Sequence, residues 1–284
     1  MLLRVSACGL LLTCVGCGSE VLDGIDPGGG ASTRTVVSLK RDAVNSDVAL
    51  DGKQPETTAS SQPVDLIGRF VIDGSASKLP SRFGKGGAPA DPQICAKEHA
   101  IEDESLVLGA EGGIGNIFVY LDKSPKNAPA EDSIPDNPLL DQVGCVFKPH
   151  ALVVRTGKTF PLKNSDPVTH NVKTNPGKNA ASNNSMGGGE TMSLSFKKSE
   201  KAPFESSCAI HAWMNFYTLV VDHPYATVSA SSGEFVMKNL PAGEHQLRIW
   251  HERAGAIETR KVVVTGAGKI DLGDIKIPLA KFRL

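Results

Sequence analysis

Short runs of alternating apolar and polar residues recur along the chain from Leu66 onward, separated by Gly, Pro, Asn and Asp. Alternation with a period of two is the pattern of a strand with one buried face. The runs predicted as strands are Leu66–Ile72, Ile117–Leu121, Ala151–Val154, Thr159–Leu162, Met192–Phe196, Phe216–Val221, Gly233–Met237, Gln246–Trp250, Lys261–Val264 and Lys269–Ile277. We find no convincing amphipathic helix. The succession of short strands and turns predicts an all-β chain folded as an antiparallel β-sandwich.

Three other segments lack this alternation. Asn127–Gln142, with its prolines, and Asn175–Glu190, which is polar and rich in Gly and Asn, are predicted to be long loops. Residues 18–63 are rich in Ser, Thr, Asp and Gly. Such a composition does not bury enough apolar surface to fold, so we expect a flexible tether there.

The composition agrees with this pattern. The chain has 284 residues, enough for one large or two modest domains. Aromatic residues make up 5%, whereas there are 29 Gly and 18 Pro, which suits short strands joined by turns. The formal net charge is −1, so the chain lacks the strong positive electrostatic field that would indicate binding to nucleic acid or to an anionic membrane surface.

The first 17 residues have the features of a targeting segment. Arg4 supplies a positive start, residues 5–15 an apolar run, and Gly16 precedes Cys17. The segment resembles a bacterial lipoprotein signal, which implies lipidation of Cys17, although Cys14 stands where such signals have Leu. Plain secretion with cleavage nearby is the alternative. The apolar run is too short to span a bilayer, so we expect an exported protein, periplasmic or in the outer envelope, that a lipid anchors.

Four side chains further along predict a metal site. Cys208, His211 and Met214 lie within seven residues, and His170 precedes Cys208 by 38. Two imidazoles, a thiolate and a weak axial thioether are the ligand set of a type-1, or blue, copper site. Sulfur suits Cu(I) and imidazole suits both oxidation states, so the set can hold copper through a redox cycle. Taken singly, each residue has an ordinary explanation as a surface or core side chain, and only their combination predicts copper.

The Cys-x-x-His loop with its following Met, and the His170-Asn171 dipeptide, resemble the cupredoxin family of plastocyanin-like and pseudoazurin-like proteins. The segment 141–150 continues the likeness to an exported subgroup labelled methylamine-utilisation-like, and the likeness covers roughly residues 66–255. It implies a Greek-key β-sandwich over residues 64–222. It also implies that Asn171 ties the His170 loop to the backbone near Cys208. Asn164 is expected to order the upstream loop, together with Asp166 unless that residue has only a turn role.

One departure from the family concerns the ligand loop. Plastocyanin-like loops place more residues between the His and the Met than the two between His211 and Met214. The short spacing is similar to binuclear copper motifs, but these require a second Cys on the same loop. Ser206 and Ser207 occupy that neighbourhood. We therefore predict one mononuclear copper ion.

The last part of the chain has a different likeness. The run from Gly233 to Leu247, with Leu240-Pro241-Ala242-Gly243 at its centre, resembles the carboxypeptidase-regulatory-like, or transthyretin-like, β-sandwich. In that family the turn joins two strands of a hairpin, and Gly68–Val71 is a counterpart of its opening strand. Residues 223–284 then form a second β-sandwich segment, which residues 66–125 would complete if the copper module is inserted. Two consecutive domains are the other arrangement.

The expected export bears on which cysteines form a disulfide. Cys8, Cys14 and Cys17 belong to the targeting segment, which leaves three cysteines in the body. An oxidising compartment favours a disulfide between Cys95 and Cys145, with Cys208 left as the odd thiol that copper explains. The alternative is a second metal site, because His99 follows Cys95 by four residues and His150 follows Cys145 by five.

Together these features predict a non-enzymatic electron carrier. The expected partner is a redox protein such as a cytochrome or a quinone- or copper-linked enzyme. The resemblance also implies that His211 lies on an exposed loop and that electrons enter and leave through it. Trp213 would shield the copper or contact the partner. No catalytic triad, phosphate-binding loop or paired carboxylate is visible. A copper delivery or storage protein and a structural cell-surface module are the alternatives.

Overall fold

The computed structural model describes residues 62–126, 139–266 and 268–284. The predicted targeting segment with Cys17, and nearly all of the predicted tether 18–63, lie outside the described residues. So does most of the predicted loop Asn127–Gln142. In the described ranges no helix has the length and apolar character that crossing a membrane requires.

The regular structure of the described residues is almost entirely β, as predicted. Besides the strands it contains two single-turn 3₁₀ helices, Ala110–Gly112 and Leu279–Lys281. The strands are β1 (Val64–Asp73), β2 (Phe118–Leu121), β3 (Leu140–Gln142), β4 (Phe147–Lys148), β5 (Ala151–Arg155), β6 (Thr159–Asn164), β7 (His170–Thr174), β8 (Ser182–Met186), β9 (Thr191–Ser195), β10 (Phe204–Ser207), β11 (Asn215–Val221), β12 (Ala226–Val228), β13 (Glu234–Leu240), β14 (Gly243–His251), β15 (Gly255–Val264) and β16 (Gly268–Pro278).

These strands form four sheets, which enclose two cores. Sheets β13-β1-β16 and β12-β2-β14-β15 share one core, and we call this pair the terminal sandwich. Sheets β5-β11-β10-β7-β8 and β4-β3-β6-β9 share the other, and we call this pair the central sandwich. In β6 (Thr159–Asn164), for example, exposed and buried residues alternate, so that one face of the strand is turned to the core.

The terminal sandwich joins the two ends of the described chain. β1 pairs antiparallel with β13 and parallel with β16, so that Gly68 lies opposite Phe235 and Phe70 opposite Ile275. The strands from β3 to β11, which form the central sandwich, lie between these partners in sequence. This pairing is the one expected of the inserted arrangement, and the domain bounds themselves stay a prediction.

The Leu240–Gly243 turn does not close a hairpin, which corrects the expectation from resemblance. β13 pairs with β1, whereas β14 pairs with β2 and β15 in the opposite sheet. The turn therefore crosses from one sheet to the other. The physical reason is burial, because Phe235 and Met237 of β13 face the same core as Leu247 and Ile249 of β14. Both strands cover their apolar side chains by facing one another across the sandwich.

Two other expectations were wrong in detail. The sandwich is not purely antiparallel, because β1–β16, β5–β11 and β3–β6 are parallel pairs. The segment Asn175–Glu190, predicted as a loop, contains β8, which pairs with β7. β8 is Ser-Asn-Asn-Ser-Met at the edge of its sheet, with only Met186 buried. An edge strand this polar has no apolar alternation for a sequence pattern to detect.

A third, smaller apolar cluster joins the two sandwiches. Phe118 and Tyr120 of β2 contact the central sandwich at Leu219 and Val221 of β11. Trp250 packs against this cluster, with its ring 5.8 Å from that of Phe118. The central sandwich thus rests with one sheet against the terminal sandwich.

Candidate metal centre

Adjacent strands of one sheet bring three of the predicted ligands together. His170 begins β7, Cys208 follows β10, and His211 lies in the turn before β11, while β7, β10 and β11 are neighbours in the five-stranded sheet. One nitrogen of each imidazole and the Cys208 sulfur all lie within 4.8 Å of one another. The two Nδ1 atoms are 2.9 Å apart, and Cys208 Sγ is 3.9 Å from His211 Nδ1. His170 and His211 are fully buried, and Cys208 is 2% exposed.

The backbone closes the ligand loop into a compact turn. The N–H of Met214 donates to the carbonyl of His211 over 2.9 Å, and the N–H of Cys208 donates to the carbonyl of Met214 over 3.0 Å. These bonds fix the direction of both ligand side chains before β11 begins. Met214 is 1% exposed and belongs to the same apolar cluster as Cys208. Its axial role stays a prediction.

The environment of Cys208 favours the thiolate. The backbone N–H groups of Asn171 and His211 point at the sulfur over 3.5 and 3.4 Å. Burial alone raises the pKa of Cys208, but the hydrogen bond with His170 and these N–H groups outweigh it and lower the pKa to about 6. A cysteine with this pKa carries the charge that a soft metal ion needs in a ligand.

Asp166 holds the far side of the His170 ring. Its Oδ2 lies 2.9 Å from His170 Nε2, and its carboxylate accepts the N–H groups of Gly144 and Cys145 over 2.6 and 2.8 Å. Burial lowers the pKa of His170, but the Asp166 and Cys208 hydrogen bonds raise it to about 9. Asp166 therefore fixes which nitrogen faces the cluster, a larger role than ordering a turn.

His211 is not exposed, which corrects the expectation from resemblance. Its Nε2 lies 2.9 Å from Oδ2 of Asp91, whose side chain is 45% exposed and stands between the ring and solvent. Sequence reasoning missed Asp91, since it lies 120 residues before His211 and no local pattern links them. The large apolar side chain that the ligand loop exposes is instead Ile210, at 47%.

The two predicted asparagines order the loops around the site. Asn171 Oδ1 accepts the N–H groups of Ala209 and Ile210 over 2.7 and 3.3 Å, which ties the His170 strand to the ligand loop as expected. Asn164 donates through Nδ2 to three carbonyls, including that of Val168 at 2.8 Å, and orders the upstream loop.

Trp213 covers one side of the cluster. Its ring packs edge-on against His211 with centroids 5.0 Å apart, and its Nε1–H donates to the carbonyl of Cys145 over 3.0 Å. Trp213 is 8% exposed, so it excludes water from the imidazole.

Cys95 and Cys145 form a disulfide, as predicted. The alternative of a second metal site at these cysteines is therefore wrong, because neither sulfur is free to bind an ion. His99 is exposed, and His150 pairs with Glu252 instead. Cys208 is the free cysteine of the described residues.

The donor set fits a copper ion. Two imidazole nitrogens and a thiolate in a buried cluster are the equatorial ligands of His₂Cys sites, and neither carboxylates nor waters are needed to complete them. Asp166 and Asp91 form hydrogen bonds with the Nε2 atoms of the two rings, so both Nδ1 atoms remain directed at the cluster. The assignment of these side chains as copper ligands is a proposal, developed below.

No protein-family model matches the chain, and no curated protein matches its sequence. Among solved structures, a Cu-containing nitrite reductase (NirK) from Thermus scotoductus SA-01 is 21% identical over 31% of this chain, with a TM-score of 0.28. A purple cupredoxin from Nitrosopumilus maritimus is 16% identical over 30% of this chain and 100% of its own, with a TM-score of 0.26. A mutant of amicyanin is 22% identical over 36% of this chain and 98% of its own, with a TM-score of 0.27. The match spans only 23% of the nitrite reductase.

Proposed function

We propose that this chain is an exported copper protein that binds one type-1 copper ion and carries single electrons between redox partners. The observation that carries the proposal is the buried cluster of His170, Cys208 and His211, with one ring nitrogen of each histidine and the sulfur within 4.8 Å of one another. These three side chains would hold the metal, with Met214 as a fourth, weaker ligand. When bound, copper supplies a one-electron couple between Cu(II) and Cu(I).

The surrounding residues suit electron transfer because they hold the ligands in place. Asp166 and Asp91 fix both imidazole rings, and the N–H groups of Asn171 and His211 fix the sulfur. Ligands that are already oriented move little when the charge at the site changes. Burial and the Trp213 ring keep water away from the site.

The same burial disfavours copper delivery or storage. Exchange of copper with a partner needs ligands that solvent or another protein can reach, whereas the three donors here are at most 2% exposed. For an electron carrier, burial is no obstacle. The partner we propose is a redox protein, such as a cytochrome or a quinone- or copper-linked enzyme, and the protein itself would turn over no substrate. Exposed Ala209, Ile210 and Ala212 on the ligand loop offer an apolar surface for contact.

The proposal is tested by adding one equivalent of Cu(II) to the purified protein. We expect an intense visible absorption band from charge transfer between the Cys208 thiolate and copper, which ascorbate bleaches and ferricyanide restores. Cys208→Ser is expected to abolish the band, whereas the matched control Ser207→Ala keeps it. A colourless copper adduct would favour delivery, and no copper uptake would favour a structural module. Either result contradicts the proposal.

A further inference from the structure

Two aspartates from separate segments hold the outer nitrogens of the candidate ligand histidines. Asp166 contacts His170 Nε2 and Asp91 contacts His211 Nε2, each over 2.9 Å. Asp166 precedes its histidine by four residues, but Asp91 belongs to a distant segment, residues 83–101, which we call the cover loop. A carboxylate at this position sets the tautomer and the orientation of the ring.

Each aspartate is in turn held beside one half of the Cys95–Cys145 disulfide. The N–H of Cys145 donates to Asp166 Oδ2 over 2.8 Å, and the N–H of Cys95 donates to the carbonyl of Asp91 over 2.7 Å. The sulfur of Cys145 lies within 4.8 Å of a carboxylate oxygen of Asp166 and a ring nitrogen of His170. One covalent bond therefore links the two segments that hold the two rings.

The backbone at both places needs to be held. Asp91 has φ 46° and Cys145 has φ 57°. Both values lie in the left-handed region, which residues other than glycine rarely adopt. The cover loop is closed at its base by the bridge between Phe83 and Ile101. Apart from the main chain, the disulfide is the covalent link that holds the Asp91 turn beside His170, Cys208 and His211.

We propose that the Cys95–Cys145 disulfide is a positioning element of the metal centre, which keeps Asp91 and Asp166 on His211 and His170. The relevance to copper rests on the function proposed above, but the positioning itself does not. A dithiol would break the S–S bond by adding two electrons and two protons to the sulfurs, and would itself become a disulfide. The cover loop is then no longer cross-linked to Cys145, and the hydrogen bonds from Asp91 and Asp166 to the two rings weaken.

The test measures hydrogen exchange of the two imidazole Nε2–H groups by ¹⁵N NMR in the metal-free protein. In the wild type both are expected to be protected by their carboxylates. In the double variant Cys95→Ala/Cys145→Ala we expect both to exchange at least tenfold faster, while backbone amides of β14 keep their wild-type rates. Asp65→Asn is the control, because Asp65 accepts a backbone N–H from Asn239 in the terminal sandwich. This variant is expected to leave the Nε2–H exchange rates of both rings unchanged.

Several results would overturn the proposal. Both rings staying protected in the double variant would do so, as would faster exchange at one ring alone. Equal acceleration of the β14 amides would show general destabilisation instead. A second variant keeps the disulfide and lengthens the segment between Asp91 and Cys95 by inserting two glycines after Gln93. In this variant only the Nε2–H of His211 is expected to exchange faster. Wild-type protection at His211 in that variant also contradicts the proposal. All arms use metal-free protein, so failure of copper binding is a separate result.

Discussion

At the scale of single residues, His251 illustrates how burial sets ionisation in this protein. It is fully buried, its ring packs edge-on against Phe282 at 5.1 Å, and its Nδ1 accepts the N–H of Arg253 over 3.2 Å. Burial lowers the pKa of His251 to about 3, and electrostatic interaction with the nearby His150 and Arg253 acts in the same direction. The side chain therefore stays neutral in the folded protein under mild acid.

This pKa predicts a loss of stability in acid. Between pH 6.5 and 3 the unfolded chain binds a proton at His251 that the folded protein does not, so the free energy of unfolding falls as the pH falls. From pH 7 to pH 5 this residue alone accounts for about 2 kcal/mol. We expect His251→Gln to show a pH-dependent loss smaller than the wild type by about that amount, measured by urea unfolding of the metal-free protein. The exposed His99→Gln is the control, and an equal fall in wild type and His251→Gln contradicts the assignment.

The ligand motif could be found from the sequence because most of it is local. Cys208, His211 and Met214 lie on one turn, and the type of each side chain already limits the metal. Asp91 could not be found in this way. Its role depends on a turn with positive φ and on a disulfide that brings it to His211 across 120 residues. A carboxylate that reaches a ligand histidine from a distant segment, as Asp91 does, is placed by the tertiary fold, and no local spacing indicates it.

At the scale of elements, the alternation of apolar residues predicted most of the longer strands but not their partners. Alternation reports which face of a strand is buried, and says nothing about which strand lies beside it. For this reason the Leu240–Gly243 turn was expected to form a hairpin, although β13 and β14 belong to opposite sheets. Short or polar strands such as β4 and β8 escaped prediction because too few of their residues are apolar.

The turn before β13 offers a test of how closely the elements pack. Gly233 has φ +86°, and a Cβ there would lie 2.1 Å from the carbonyl oxygen of Phe70 in β1. Gly255, the first residue of β15, also has a positive φ of +66°, but no atom lies within 4 Å of such a Cβ. We expect Gly255→Ala to cost about 1 kcal/mol from backbone strain alone. Gly233→Ala is expected to cost at least about 2 kcal/mol more, because β1 and β13 would have to separate. Urea unfolding measures both, and equal losses would contradict this packing.

At the scale of the whole molecule, the central sandwich carries the cluster of His170, Cys208 and His211, and the terminal sandwich packs against it through the shared apolar cluster. The strands of the central sandwich follow one another from β3 to β11, while the terminal sandwich is closed by β1 with β13 and β16. Leu219 of β11, the strand that follows the ligand loop, packs in the cluster that joins the two sandwiches. Sequence patterns could not decide between the consecutive and inserted arrangements, because only long-range pairing distinguishes them.

The central claim is that one sulfur and two imidazole nitrogens meet at a single copper ion. X-ray absorption at the copper edge of the copper-loaded wild-type protein tests it most directly, because it counts the ligand atoms around the metal. We predict one short copper–sulfur bond, from Cys208, and two imidazole nitrogens, from His170 and His211. A spectrum without a short sulfur bond, or with two of them, would contradict the account.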